Sequence, residues 1–270
     1  MLTFFPEAER LQAMAIPDSR GRTALHFAAD HASNYDSIKS ILSLLPELDR
    51  LQAVTVQDGY GMTPLHCVAT SKNPEAMKVF LDSLPESKRL QAVNIEDLDG
   101  KTVLYCAASS THDGNIECLD VIMALYPESV RGQVLCTMDT GGRSVLHCAA
   151  QSRNTKLIKY VLTLMSEAER LEAVKLENRF GSTVMHYAAQ LCNTESIQLV
   201  LSALPESERL QYIRKQNIHG QTALHCVARS NDPGCIQTML SLFPESERFG
   251  VVCLREKDNG QTMLHCAADR

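Results

Sequence analysis

Apolar positions recur along this chain with the spacing of a helix, in stripes that return about every forty residues. Ile158, Val161, Leu162 and Met165 make one stripe, and Ile197, Val200, Leu201 and Leu204 make the same stripe one period later. Residues three and four apart share one side of a helix, so each stripe predicts an amphipathic helix with one buried face. A short alanine-rich phrase alternates with the stripes and occurs seven times: "GRTALHFAA" from Gly21, "GMTPLHCVA" from Gly61, "GKTVLYCAA" from Gly100, "GRSVLHCAA" from Gly142, "GSTVMHYAA" from Gly181, "GQTALHCVA" from Gly220 and "GQTMLHCAA" from Gly260. The glycines are 40, 39, 42, 39, 39 and 40 residues apart. A period this steady belongs to a solenoid, in which each unit buries its apolar face only against its neighbours.

The polar positions between stripes predict how each unit turns. Asp or Asn stands three residues before the glycine at Asp18, Asp58, Asp97, Asp139, Asn178 and Asn217, where its side chain closes an Asx turn and the glycine supplies permissive backbone. Thr23, Thr63, Thr102, Thr183, Thr222 and Thr262, with Ser144 as the variant, fit the N-cap of a short first helix, and Pro64 fits that helix's first position. The loop residues Asn34, Asn73, Asn154, Asn193 and Asn231 suit a left-handed C-terminal cap before the second, striped helix. After that helix comes "LPESERLQ" or a close relative, with Pro6, Pro46, Pro85, Pro127, Pro205 and Pro244. Proline takes the residue before it out of helical geometry and suits a new start, and the following Glu favours the positive end of a helix. A third short helix per unit is expected, its Leu51, Leu90, Leu171 or Leu210 packing back on the second.

The turn, the phrase G-x-T-x-L-H-x-A-A and two antiparallel helices resemble the ankyrin repeat family over essentially the whole chain. The resemblance implies an all-α helical solenoid. Units of that family run near 33 residues, whereas these run near 40 and add the "LPESER" helix. Extended repeats of this kind also resemble those of ankyrin proteins in intracellular bacteria. The opening "MLTFFPEAERLQ" from Met1 matches "MLSLFPESERFG" from Met239, and "LHCAADR" closes the chain inside a first helix. One array over residues 1–270 is therefore expected, about six full repeats with partial units at both ends, cut from a longer chain.

Composition adds exclusions. Apolar residues at 44% against 21% charged are enough for a core. A formal charge of −6 gives no footprint for a nucleic acid, and no segment approaches the ~18 uninterrupted apolar residues of a membrane span. Ten cysteines without a C-x-x-C pair read as reduced thiols in a cytosol. Residues 142–180 hold seven basic and four acidic side chains, a basic unit after an acidic half.

The candidate chemistry points to scaffold. His26, His66, His147, His186, His225 and His265 share one repeat position, with Tyr105 in the seventh. A base or ligand copied six times is a poor catalyst and a good turn brace, and the family resemblance implies hydrogen bonds from each imidazole to turn backbone. Cys67, Cys106, Cys148, Cys226 and Cys266 follow directly, with Phe27 and Tyr187 as replacements, the mark of an apolar packing position. Adjacent His and Cys diverge by about 100° on a helix and chelate one ion poorly. "DGKT" at Asp99–Thr102 lacks the first glycine of a phosphate loop, Ile95 standing in its place. No catalytic residue, cofactor or metal is expected.

What varies between copies is the pair before each glycine, at the turn tip. Tyr60, Leu98, Phe180 and Ile218 are large apolar groups at positions expected to meet water, and Arg179 with Arg143 adds positive charge. Exposed aromatic and Arg side chains anchor interfaces. These six residues are the partner-binding candidates. The expected function is a non-enzymatic, monomeric scaffold binding a protein partner through turn tips and concave face. Its place would be the cytoplasm, or the host cytosol for a secreted bacterial effector. The alternative is a substrate-recruiting arm of a larger enzyme whose catalytic domain lies elsewhere.

Overall fold

The computed structural model describes residues 6–31, 35–71, 73–109, 116–152, 154–230 and 232–269. Met1, Asn34, Arg153 and Asn231 lie outside the described residues. All regular structure longer than an isolated bridge is helical among them. The chain divides into two compact units, the first ending at Arg131 and the second beginning at Gly132.

Three helices form each repeat, as the sequence predicts. In the first unit the first helices are Ala24–Asp30, Pro64–Ser71 and Val103–Ser109, the second Tyr35–Ser43, Pro74–Asp82 and Ile116–Met123, and the third Glu47–Thr55 and Glu86–Val93, with Glu7–Ala15 ahead of the first turn. In the second unit the first helices are Val145–Gln151, Val184–Gln190, Ala223–Ala228 and Met263–Ala268. The second helices there are Thr155–Thr163, Thr194–Ser202 and Pro233–Ser241, and the third Glu167–Lys175, Glu206–Ile213 and Glu245–Val252. Within each unit, consecutive first helices pack side by side. The predicted stripes are the core: Ile158, Val161, Leu162, Met165, Ile197, Val200, Leu201 and Leu204 are all buried.

Six of the seven turns are closed as Asx turns; the turn before Gly260 carries Lys257 instead, and Gly260 N–H donates to Glu256 O. Asp58 Oδ1 accepts from the backbone N–H of Tyr60 at 2.8 Å and of Met62 at 2.9 Å, and Gly61 N–H donates to Asp58 O. Asn178 and Asn217 do the same in the second unit. The helix after the turn is braced by its own histidine. Thr63 sends both its N–H and its hydroxyl to His66 Nδ1, at 3.1 and 2.8 Å. That nitrogen therefore carries no proton, and Nε2–H donates to Lys101 O of the next repeat at 3.1 Å. His26 reaches Met62 O, His186 reaches Gln221 O and His225 reaches Leu254 O in the same way. Burial lowers the pKa of His66, His186 and His225, and that of His147 to about 4, so His66, His186 and His225 are neutral braces between repeats.

The loop asparagines depart from expectation. Asn73, Asn154 and Asn193 do not end the first helix in left-handed geometry; they begin the second, with φ of −113°, −95° and −87°. Their side-chain oxygens accept from the N–H groups of Ala76, Leu157 and Ser196. A free helix N-terminus offers donors that an amide oxygen satisfies directly, and that gain outweighs a C-terminal cap.

The third helix owes its position to an arginine the pattern left unexplained. Arg89, Arg209 and Arg248 each donate from Nε to the carbonyl just past the second helix, on Leu84, Leu204 and Phe243, at 3.3, 3.2 and 3.1 Å. Arg50 serves Leu42 O and Leu45 O, and Arg170 serves Leu162 O. The cation thus satisfies carbonyls that the end of the second helix leaves without intrahelical partners, where positive charge is favoured.

Candidate partner-binding groove

The turn tips form a ladder within each unit. In the first, Leu98 N–H donates to Tyr60 O at 3.0 Å; in the second, Arg179 N–H donates to Gly141 O and Ile218 N–H to Phe180 O, at 2.9 and 2.8 Å. The backbone is therefore fixed while the side chains project. Tyr60 is 64% exposed, Leu98 73%, and Phe180 and Ile218 53% each, and Arg179 is also exposed. Arg143 is placed differently. Its guanidinium donates from Nε and Nη2 to Asp139 Oδ2 at 3.0 and 2.9 Å, which ties it to its own turn. Phe180 stacks on His219 of the next tip with ring centres 6.1 Å apart, and His219 pairs with Asp258 at 2.7 Å.

In the second unit these tips overhang an open groove of about 1030 Å³. One end is formed by Phe180 and His219, the floor by Tyr187 and Cys226 on two first helices, and the far end by Arg229 and Ser230 beyond the helix Ala223–Ala228. Tyr187 replaces the recurring cysteine and is only half-buried. Its hydroxyl accepts from Asn178 Nδ2 at 2.9 Å, and its ring meets that of His147 edge-on at 5.6 Å. Arg229 pairs with the buried Glu256 at 2.6 Å. The groove therefore presents aromatic faces and held hydrogen-bonding groups, the mixture found where side chains of a partner are recognised.

Sequence reasoning located Phe180 at its rim but missed Tyr187 and Arg229 in it. Tyr187 had a signal, since it is a polar aromatic in a column of cysteines. Arg229 had none, because its partner is 27 residues away in the next turn. The column itself packs as expected: Cys67, Cys106, Cys148 and Cys266 are buried, and burial raises the thiol pKa of Cys226 to about 12. Among the described residues no group of three or more His, Cys, Asp or Glu side chains is placed to hold a metal ion, and no helix is long and apolar enough to cross a membrane.

Each unit is thus a stack of identical turn-and-helix modules with exposed tips, a helical repeat protein by construction. Residues 31–133 and 122–209 match the family model for ankyrin repeats in three copies, and the chain belongs to the ankyrin repeat family. It is also similar to the crystal structure of the ankyrin repeat domain of Bcl-3, a unique member of the IkappaB protein family. That likeness has 16% identity over 92% of this chain and 95% of the other, with a TM-score of 0.58; at such identity it shows the fold. Comparison with curated proteins finds no match. Ankyrin repeats generally serve protein–protein interaction, and the fold is typically a non-catalytic scaffold.

Proposed function

We propose that this chain is a non-enzymatic scaffold that binds a protein partner through the groove of its second unit and the turn tips above it, in a cytosol. The observation that carries the reading is the groove itself, open, aromatic on two sides and rimmed by Phe180. Ile218 and Arg179 extend the surface beyond the rim, and Tyr60 with Leu98 forms a matching tip pair in the first unit. Arg143, held by Asp139, contributes to the shape of its turn. A rigid backbone with projecting side chains suits binding because little conformational freedom is lost when the partner docks.

The test begins with proximity labelling by the array in cells, followed by titration of each purified candidate against variants. Phe180→Ala and the groove-filling Gln190→Trp are expected to weaken a genuine partner about tenfold each, with melting temperatures close to the parent. A partner that binds both variants as tightly as the parent would place its site elsewhere.

A further inference from the structure

The residue after each turn glycine decides what the second polar atom of the Asx side chain can do. Where that residue is Arg22 or Arg143, its guanidinium donates to Oδ2 of Asp18 or Asp139. Beside the groove both members change, to Asn178 with Ser182 and to Asn217 with Gln221. Each asparagine commits Oδ1 to two backbone N–H groups, Asn178 to Phe180 and Ser182, Asn217 to His219 and Gln221. That fixes Nδ2 as the atom left to donate.

Both Nδ2 groups reach side chains that line the groove. Asn178 Nδ2 donates to the Tyr187 hydroxyl at 2.9 Å, and Asn217 Nδ2 donates to the Ser182 hydroxyl at 3.1 Å and to Gln221 Oε1 at 3.3 Å. The oxygens of Ser182, Tyr187 and Gln221 are thereby engaged. Their hydrogens, on two hydroxyls and one amide nitrogen, meet no acceptor among the described residues. Burial raises the Tyr187 pKa, so its hydroxyl keeps its proton. The groove thus holds a connected cluster of donors without a formal charge of its own. Arg179, between Asn178 and Phe180, is exposed and has no ion pair among the described residues. Glu177 and Asp258 are already paired, with Lys215 and His219. Asp232 also lines the groove, but past Ser230 and the helix Ala223–Ala228. The tip end of the groove therefore favours an anion.

We propose, on the reading of the groove as the binding site, that Ser182, Tyr187 and Gln221 seat the carboxylate of an Asp or Glu side chain of the protein partner. Asn178 and Asn217 are the positioning residues behind them. A carboxylate only accepts, at two oxygens with about four lone-pair sites, and suits a set of donors. A carboxamide offers one oxygen and brings an NH2 that would face donors. Hydrogen bonds to a charged acceptor are stronger than neutral ones, so the cluster selects the acid over its amide. Asp232 repels a second acid at the other end and so orients the bound segment.

The experiment selects phage-displayed random linear peptides on the full chain and titrates synthetic copies of the selected peptides against variants. Peptides that Phe180→Ala weakens are those of the groove. They are expected to share one Asp or Glu, and its exchange for Asn or Gln should weaken binding about tenfold or more, through loss of charge-assisted hydrogen bonds. Asn217→Asp installs the residue that closes the turn in four other repeats, and should weaken acidic peptides as much with little change in melting temperature. Ser182→Ala and Tyr187→Phe should each weaken the acidic peptides several-fold and their amide versions hardly at all. Groove peptides without a shared acidic residue, or acidic ones that all three variants leave as tight as before, would overturn the proposal while the groove stands as the binding site. If no selected peptide responds to Phe180→Ala, the groove reading fails and this proposal fails with it.

Discussion

In the first unit, described ion pairs join residues of one repeat: Lys78 with Glu75, Arg89 with Asp82, Lys101 with Asp99. In the second, Arg143 pairs with Asp139 within one turn, but four described pairs cross from one repeat to the next: Lys175 with Glu208, Arg214 with Glu247, Lys215 with Glu177 and Arg229 with Glu256. His219 also hydrogen-bonds across to Asp258. The apolar phrase is the same in both units, so it accounts for the fold they share. The polar positions around it decide how strongly neighbouring repeats are coupled. Exposed pairs contribute up to about 1 kcal/mol each, too little to build a repeat and enough to tune its junctions. The unit with bridging pairs is also the unit with the groove.

The largest expected effect tests what the units share. Gly61 has φ of +77°, and a Cβ there would stand 2.7 Å from the backbone nitrogen of Leu98. Gly142 has φ of +74° with the nitrogen of Arg179 at 2.9 Å. Alanine at either must break the tip ladder, at a cost of about 3 kcal/mol from strained φ and displaced backbone together. Gly260→Ala meets its nearest neighbour, Arg255 Nη1 at the far end of a side chain, at 3.9 Å, and should cost only about 1 kcal/mol. Urea denaturation followed by circular dichroism measures all three. Equal losses at Gly61 and Gly260 would remove the ladder from the account.

The bridging pairs come next, and they are not equivalent. The Glu256 side chain is 2% exposed, so Arg229→Ala strands a buried carboxylate and is expected to cost about 3 kcal/mol. Lys175→Ala unpairs a half-exposed Glu208 and should cost less than about 1 kcal/mol. Replacing Arg229 and Glu256 together by Met and Leu should recover most of the first loss. Similar small losses for both single variants would mean that burial of Glu256 does not matter.

Acid should separate the units further. His66 is in the first, and His147, His186 and His225 are in the second, all with pKa lowered by burial. Below their unfolded pKa near 6.5 the unfolded chain binds more protons than the folded one, so stability is full above that pH and falls as the pH drops through the folded pKa. For His147, lowered to about 4, the loss between pH 7 and pH 5 is about 2 kcal/mol. Hydrogen exchange resolved by peptide at the two pH values should show greater loss of protection in the second unit. Uniform loss, or rising stability toward pH 5, would contradict the burial of these rings.

Much of this was legible because the period makes each position vote several times. Asx turns, Thr–His braces and the "PESER" helix follow from residues within four of one another, and local chemistry suffices for them. The loop asparagines were misassigned because Asn satisfies either a C-terminal or an N-terminal cap; in repeat five the left-handed place falls to Cys192, one residue earlier. The arginine of "PESER" was legible as charge but not as a cap, since its acceptors are five or eight residues back across a turn. Arg229 with Glu256 and Cys192 with Ser230 lie 27 and 38 residues apart. A repeat period says which positions are equivalent, but not which side chain reaches its neighbour.

The smallest expected effect on stability is at the tips, where it sharpens the comparison most. Tyr60 projects from a fixed backbone in the first unit, and Tyr60→Ala should change stability by less than about 0.5 kcal/mol. Phe180 stacks on His219, so Phe180→Ala should cost up to about 1 kcal/mol by loss of that ring pair. Binding should rank the two positions more steeply. Phe180 stands at the end of the groove, and its truncation is expected to weaken a partner seated there by more than about 1 kcal/mol; Tyr60 matters to that partner only where contact extends to the first unit. Affinity and melting temperature measured on the same preparations separate the two roles of Phe180. A fall in melting temperature with affinity unchanged would assign Phe180 to packing between tips, because an anchor that leaves binding intact when removed was never an anchor.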